Sequence, residues 1–388
     1  MGCVQAVPGR EAATARCRNR QPPLRPGNLR CEPGLTPPPP APTLWSKQRE
    51  VVEQVGDRHT EGKVRSTVVC SMRNEGPFIV EWVTWYRMIG FTNILVVTND
   101  CTDHSPALLD ALAQAGQVTH LPSDIPATGK VTAAKLRQAR AHRAVRRADW
   151  VLVCDVDEFL VIHRGAGKLA DLLGPAPDFT AMALNWRVFG MSGIQHWQDG
   201  LTHRQFLCAG PTGHSISCWI KMLHRGGRAF RALGEHGPRW RDPAPQDPPL
   251  RLVNCDGTLV PGWPGGGYLR KLPPELTSHK TAQINHYMLR SEESWGLKRG
   301  TLSAVQGADR YNDSYRASTD RNEVSDLSAL RHEAEFDTLH AEMMALPDVA
   351  RQHHLCCADY AARLAEKAGR RPEDDPRWRH HMAQAREA

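Results

Sequence analysis

The sequence predicts an α/β fold: a mostly parallel sheet with helices on both faces, a loop-rich extension after it, and helices at the C-terminal end. Three observations predict this. Apolar, β-branched runs without polar alternation recur between residues 64 and 154, as strands buried on both faces require. Segments with apolar residues at helical spacing separate those runs. Polar clusters follow three of the runs, at the ends where open α/β sheets bind their ligands.

Val64 to Cys70 reads as the first buried strand. Pro77 then stands where the first turn of a helix tolerates proline. Phe78, Trp82, Val83, Tyr86 and Ile89 share one helical face, and Gly90 ends that helix. Asn93 to Val97 is the second strand. Ser105-Pro106 opens a helix that Gly116 stops, and Gln117 to Leu121 is the third strand. Lys130 to Ala148 is a long Ala/Arg-rich helix. Trp150 to Cys154 is the fourth strand and runs into Asp155-Val156-Asp157-Glu158. Ala181 to Trp186 is a further strand. Residues 190–285, rich in Gly, Pro, Trp and His, read as long loops with short strands, a composition and length typical of functional segments. Leu327 to Ala368 is helical with Gly369 as its stop, and the charged tail from Arg370 is expected to fray.

The chain divides by composition into three parts. Residues 1–60 carry Pro37-Pro38-Pro39-Pro40 and similar runs, so they are read as a disordered Pro-rich segment or an over-extended reading frame. Residues 61–325 form the α/β domain, and residues 326–388 the helical region and tail. With 40% hydrophobic and 23% charged residues the composition is that of a globular enzyme. A net charge of +7 suits anionic partners such as nucleotide diphosphates. Nucleic acid is not expected, because no basic run is interleaved with aromatics. The eleven cysteines lack C-x-x-C spacing, which points to a reducing compartment and no expected zinc site. No secretory leader or membrane-spanning stretch is read from the sequence, and the Met1-Gly2-Cys3 start lacks the Ser/Thr at position 6 that myristoylation wants.

The chemistry concentrates at the fourth strand. Asp155 and Asp157, one residue apart at a strand end, project to the same side. Their oxygens suit Mn²⁺ or Mg²⁺, ions that bind substrate phosphates through one or two carboxylates. Such an ion neutralises a diphosphate leaving group. His286, in Asn285-His286-Tyr287, is the expected third ligand, the alternative being a packed core histidine. Lys298 and Arg299 could clamp the diphosphate or stand as surface cations. Arg73, Asn74 and Glu75 end the first strand, and Asn99, Asp100 and Asp103 follow the second; each set could line a nucleotide or merely form a turn.

Several of these runs resemble a known group. Val69-Cys70-Ser71-Met72-Arg73-Asn74-Glu75-Gly76-Pro77-Phe78 and Glu81-Trp82-Val83-x-Trp85-Tyr86-Arg87-x-Ile89-Gly90 are similar to the opening of bacterial family-2-like glycosyltransferases, related to glycosyltransferase family 92. Thr98 to Asp103, Ala148 to Leu160 with its D-x-D motif, Asn185 to Gly190 and Ile284 to Tyr287 resemble further motifs of that group. The resemblance spans about Val64 to Gly300. It implies a GT-A fold, a Rossmann-like sheet with an acceptor-side extension. It also implies a nucleotide-sugar donor, a divalent metal at Asp155 and Asp157, and Arg73, Asn74, Glu75 and Asp100 along the nucleotide. Inverting transfer to an acceptor hydroxyl is expected, with an Asp or Glu as base. Asp199, Glu235 and Asp256 are the candidate bases, and His236 is a further polar candidate. The expected acceptor is a glycan or lipid-linked glycan, which places the enzyme in the cytoplasm or at the inner membrane face. The rival readings are a nucleotidyltransferase and a non-catalytic nucleotide-sugar-binding protein. The first wants a Gly-rich basic loop after the first strand, where Met72 to Gly76 offers one glycine and one base.

Overall fold

The computed structural model describes residues 64–124, 131–226, 230–240, 249–265, 268–301 and 310–388. The Pro-rich segment, residues 1–60, lies outside them. Residues 59–388 form one compact unit, so the C-terminal helices belong with the sheet.

The strands of the main sheet are β1 (Ser66–Met72), β2 (Asn93–Asn99), β3 (Thr119–Ser123), β4 (Trp150–Val153), β5 (Glu158–Ile162), β6 (Ala181–Val188), β7 (Ile220–Arg225), β8 (Leu252–Asn254) and β9 (Ala282–His286). Their order is β3-β2-β1-β4-β7-β6-β9-β5, with β8 against β6. The pairs among β3, β2, β1 and β4 are parallel. β7 runs antiparallel to both β4 and β6, and β5 runs antiparallel to β9. This agrees with the expected α/β class and mostly parallel sheet.

The helices used below are α1 (Ile79–Met88), α2 (Ser105–Gln114), α3 (Val131–Ala141), α4 (Glu292–Lys298), α5 (Glu333–Met344), α6 (Val349–Lys367) and α7 (Pro376–Glu387). Val69, Leu95, Val97, Val151 and Val153 pack with Leu136 and Ala139 of α3. Strand alternation turns Val68, Cys70, Ile94 and Leu152 to the opposite face. On that side α1 anchors the chain after β4: Trp82 Nε1 donates to Asp155 O at 3.0 Å, and Tyr86 Oη to Glu158 O at 3.2 Å. α5 packs on α1, and α6 packs on α2, α4 and α7.

Four elements differ from expectation. The helix expected over 130–148 breaks at His142, whose extended backbone and Nδ1 cap a new turn at Ala144. The helix expected over 327–368 is interrupted before Val349, where Asp348 adopts a left-handed φ of 62°. The tail does not fray: Asp375 caps α7, Pro376 suits its first turn, and His381 and Ala385 are buried. β5 was not anticipated, because it hides behind the acidic cluster; β7 falls in the region read as long loops with short strands.

Candidate active site

The carboxyl ends of β1, β2 and β4 bring the three polar clusters together. After β4 the chain turns sharply. Glu158 N donates to Asp155 O at 3.0 Å, and Asp155 N donates back to Glu158 Oε2 at 2.8 Å. The Glu158 side chain is fully buried, whereas that of Asp155 is 44% exposed. Lys221 of β7, itself buried, reaches both: its Nζ lies 2.8 Å from Glu158 Oε2 and 3.0 Å from Asp155 Oδ2. Burial pushes the Glu158 carboxyl up to about 7 against the pull of Lys221. Burial would lower the Lys221 ammonium, but Asp155 and Glu158 hold it well above its ordinary value.

Asp157 has partners of its own. Its Oδ1 lies 3.5 Å from His286 Nε2 and its Oδ2 3.4 Å from Lys298 Nζ. Burial alone would raise this carboxyl; Lys298, His286 and Arg290 hold it well below the usual range. His286 ends β9, whose register sets it beside Glu158 of β5. Its Nδ1 stands 3.6 Å from Glu158 Oε1, and both atoms are buried without a hydrogen-bond partner. These spacings are long for this chain. Among the described residues the tightest His–carboxylate contacts measure 2.6–2.7 Å, at His104–Asp359, His120–Asp110 and His203–Glu81, while His196–Glu293 and His353–Asp199 stand at 3.2 and 3.3 Å.

The nucleotide-side residues also gather. Asn74 and Asp100, both at positive φ (55° and 48°), end β1 and β2. Arg73 Nη2 lies 2.9 Å from Asp100 Oδ2, and Asn74 clasps Thr102 through both ends of its amide. Glu75 pairs with the buried Arg290 at 3.1 Å, and Arg290 also lies over the Phe78 ring. Asn99 is buried at the end of β2. Asp103 accepts from Ser105 N and Oγ at the start of α2. Lys298 points at Asp157, whereas Arg299 is an exposed cation paired with Asp313.

The candidate bases separate. Glu235 feels both Asp155 and Lys221; burial and the Asp155 charge raise its carboxyl. His236 Nδ1 donates to Ile220 O at 2.9 Å, and burial and Lys221 depress the ring to about 4. That imidazole is neutral near pH 7. It packs beside Trp186 and Trp219, which stack at 5.4 Å, and Trp186 meets the His286 ring edge-on at 4.4 Å. Asp256 instead accepts from Ser278 Oγ at 2.6 Å in a turn after β8. Asp199 faces His353 at 3.3 Å. Sequence reasoning missed Lys221, Arg290 and Lys135, a buried lysine whose Nζ donates to Met72 O at 3.2 Å. A lysine inside the apolar run Ile220-Lys221-Met222-Leu223 was the available signal.

Residues 66–205 match the model of glycosyltransferase family 92. The matched segment runs from β1 through the D-x-D turn and β6. Lys221, Glu235, His286 and Lys298 therefore lie beyond it. Among solved structures, the chain is similar to S. aureus TarS residues 1–349, at 11% identity over 84% of this chain and 92% of that chain, with a TM-score of 0.29. The same fragment with UDP-GlcNAc aligns at 11% identity over 84% and 92%, with a TM-score of 0.29. Glucosyl-3-phosphoglycerate synthase from Mycobacterium tuberculosis, solved with Mn²⁺, UDP and glucosyl-3-phosphoglycerate, aligns at 16% identity with a TM-score of 0.24. That match covers 33% of this chain and 46% of the synthase, less than half its length. No curated protein sequence matches the chain. Among the described residues, no helix is long and apolar enough to cross a membrane.

Proposed function

We propose that the protein is a glycosyltransferase that moves a sugar from a nucleotide-diphosphate donor to an acceptor hydroxyl, with a divalent cation held by Asp157, His286 and Asp155. One observation carries the reading. The buried Asp157–His286 pair sits 3.5 Å apart, unclosed as a hydrogen bond, beside an unpartnered His286 Nδ1 and Glu158 Oε1. Carboxylates with one imidazole form a donor set for Mn²⁺ or Mg²⁺. When bound, such an ion supplies positive charge against the departing diphosphate.

The chain's own residues do the rest. Lys298 and Arg290 add fixed positive charge around Asp157. Arg73, Asn74 and Asp100 brace the β1 and β2 ends, where a nucleotide would lie. Lys221 fixes the Asp155–Glu158 turn from beneath. Trp186 and Trp219 stack on each other beside His236, and Trp186 meets the His286 ring edge-on. Glu235 is the base: its raised carboxyl is poised to take the acceptor proton as the hydroxyl oxygen attacks the anomeric carbon. Attack opposite the diphosphate inverts that carbon. A glycan or lipid-linked glycan is the acceptor class this reading carries.

A thermal-shift panel of UDP, GDP, CDP and dTDP, each with Mn²⁺ or EDTA, tests it. Ligand at about 100 times its Kd stabilises the native state by about 2.7 kcal/mol. A shift with one nucleotide that requires Mn²⁺ and disappears in Asp157→Ala is expected. Equal shifts in Asp157→Ala, or none with any nucleotide, would overturn the reading.

A further inference from the structure

A second cluster of metal-ligand side chains lies outside the candidate active site, where the loop after β6 meets the C-terminal helices. Three ligand residues gather there, Asp199 from that loop, Cys357 from α6 and His381 from α7, and His353 of α6 contacts the first two. His353 and Cys357 are four residues apart on one helix and so share a face. Ligand atoms of Asp199, Cys357 and His381 all lie within 4.8 Å of one another. His353 Nε2 lies 3.3 Å from Asp199 Oδ1 and 3.5 Å from Cys357 Sγ.

Those separations identify the kind of contact. Three of the described His–carboxylate contacts close to 2.6–2.7 Å and the exposed His196–Glu293 pair stands at 3.2 Å, so 3.3 Å to Oδ1 and 3.4 Å to Oδ2 of Asp199 make a long hydrogen bond for a ring only 7% exposed. It fits an edge of a coordination tetrahedron instead. Zinc bonds of about 2.0–2.1 Å to oxygen or nitrogen and about 2.3 Å to sulfur give edges of roughly 3.3–3.6 Å. The other ring nitrogen of His353, Nδ1, is buried without a hydrogen-bond partner, so the ring's hydrogen-bonding contacts are those of this cluster. His354 Nδ1 lies 3.1 Å from His381 Nδ1 and steadies that second ring.

We infer that Asp199, His353, Cys357 and His381 form a structural zinc site that ties the C-terminal helices to the catalytic body. The donor set of one carboxylate, one thiolate and two imidazoles suits zinc better than the hard ions expected at Asp157. Charge balances: a carboxylate and a thiolate neutralise Zn²⁺. Without metal, burial keeps the Cys357 thiol protonated, well above its ordinary pKa. Binding forms the Zn–S bond and breaks the S–H bond, releasing that proton to solvent. Cys357 is buried and Asp199 is on the surface, which gives the ion an entry side. The ligands come from segments about 150 residues apart, so no local Cys/His spacing in the sequence announces them. The site also takes Asp199 out of the candidate bases.

The full chain, purified with a tag free of histidine, is analysed for zinc by atomic emission, and its cobalt-loaded form by absorption. Wild type and Asp157→Ala should both hold near-stoichiometric zinc, which separates this site from the proposed catalytic one. Cys357→Ser should lose it, and His381→Gln should hold it more than about tenfold more weakly. Cobalt in wild type should give a sulfur-to-metal charge-transfer band in the near ultraviolet, since of the two proposed metal sites this one includes a thiolate, and Cys357→Ser should lose that band. Wild type that takes up no zinc, or Cys357→Ser that holds as much as wild type, overturns the inference. If Cys357→Ser does not fold, a wild-type cobalt spectrum without the thiolate band overturns it on its own.

Discussion

Lys221→Met should destabilise the protein in a way that grows with pH. In the wild type Glu158 has a folded pKa of about 7, and its neighbour Lys221 stays charged well above neutrality. Removing the Lys221 charge raises the Glu158 value further, because burial then acts unopposed. Below about pH 7, native Glu158 is protonated in both proteins and their stabilities run parallel. Above pH 7 the wild-type carboxyl has released its proton, as has the unfolded chain, and stability no longer changes with this group. In the variant the folded state still holds the proton that the unfolded state has lost, so stability falls by about 1.4 kcal/mol per pH unit. Between pH 7 and 9 the gap should widen by about 2–3 kcal/mol, or roughly 5–8 °C in Tm at about 2–3 °C per kcal/mol. Asp155, with its side chain 44% exposed, contributes little to that gap. The assay is thermal melting of both proteins across pH 5.5–9 with EDTA present throughout. Glu158→Gln keeps an acceptor for Asp155 N and removes the titrating group, so the gap should become flat with pH in that background. A gap that is constant or narrows as pH rises in the native-Glu158 background would refute the reasoning.

Three further outcomes follow from the same geometry. Asp157→Ala should abolish the Mn²⁺-dependent thermal shift given by the recognised nucleotide while leaving the melting of the ligand-free protein cooperative, checked in one thermal-shift plate. Glu235→Gln should lower turnover by about 10²–10⁴-fold with nucleotide binding intact; wild-type turnover should decline as pH falls through a carboxyl raised above 4.5, and the variant should lack that limb. Glu81 is buried and accepts from Thr202 N, His203 N and His203 Nδ1 at 2.8, 3.0 and 2.7 Å. Burial would raise it, but those bonds lower its pKa. Its stabilisation is present above the unfolded value near 4.5 and is lost as pH falls through the depressed folded one. Glu81→Ala should thus cost about 3–5 kcal/mol at pH 7 and less in strong acid, read by denaturant unfolding.

What the sequence made legible was the part built from local pattern. β1, β2 and β4 announced themselves because a strand covered on both faces has no room for polar alternation, and the Asp155–Asp157 pair stood out against that background; β3, a half-exposed edge strand, lies two residues beyond the expected run. His286 was legible only as a residue type near a strand. Its register opposite Glu158 is a property of β5 and β9 pairing across more than a hundred residues. The rigid tail was misread because charge along α7 looks like solvent-facing composition, although Arg377 in fact binds Glu293 at 2.6 Å and Asp375 at 2.8 Å.

Lys221 shows why the remainder was hidden, and what could have exposed it. A lysine in the middle of an apolar strand is costly unless it meets a carboxylate, so its presence in Ile220-Lys221-Met222-Leu223 demanded a buried acid somewhere. Glu158 made the matching demand from inside Asp157-Glu158-Phe159, since a carboxylate between an acid and an apolar run also wants a partner. Each alone is ambiguous, and Glu81 and Lys135 make similar demands; the Lys221–Glu158 pairing is the one that sets β7 against β4. The observed register does so, with Leu152 opposite Leu223 and Lys221 two residues beyond, level with Cys154 and the acidic turn. The same logic of mutual demand applies to the buried His353 and Cys357, whose one shared helical face calls for whatever Asp199 and His381 complete.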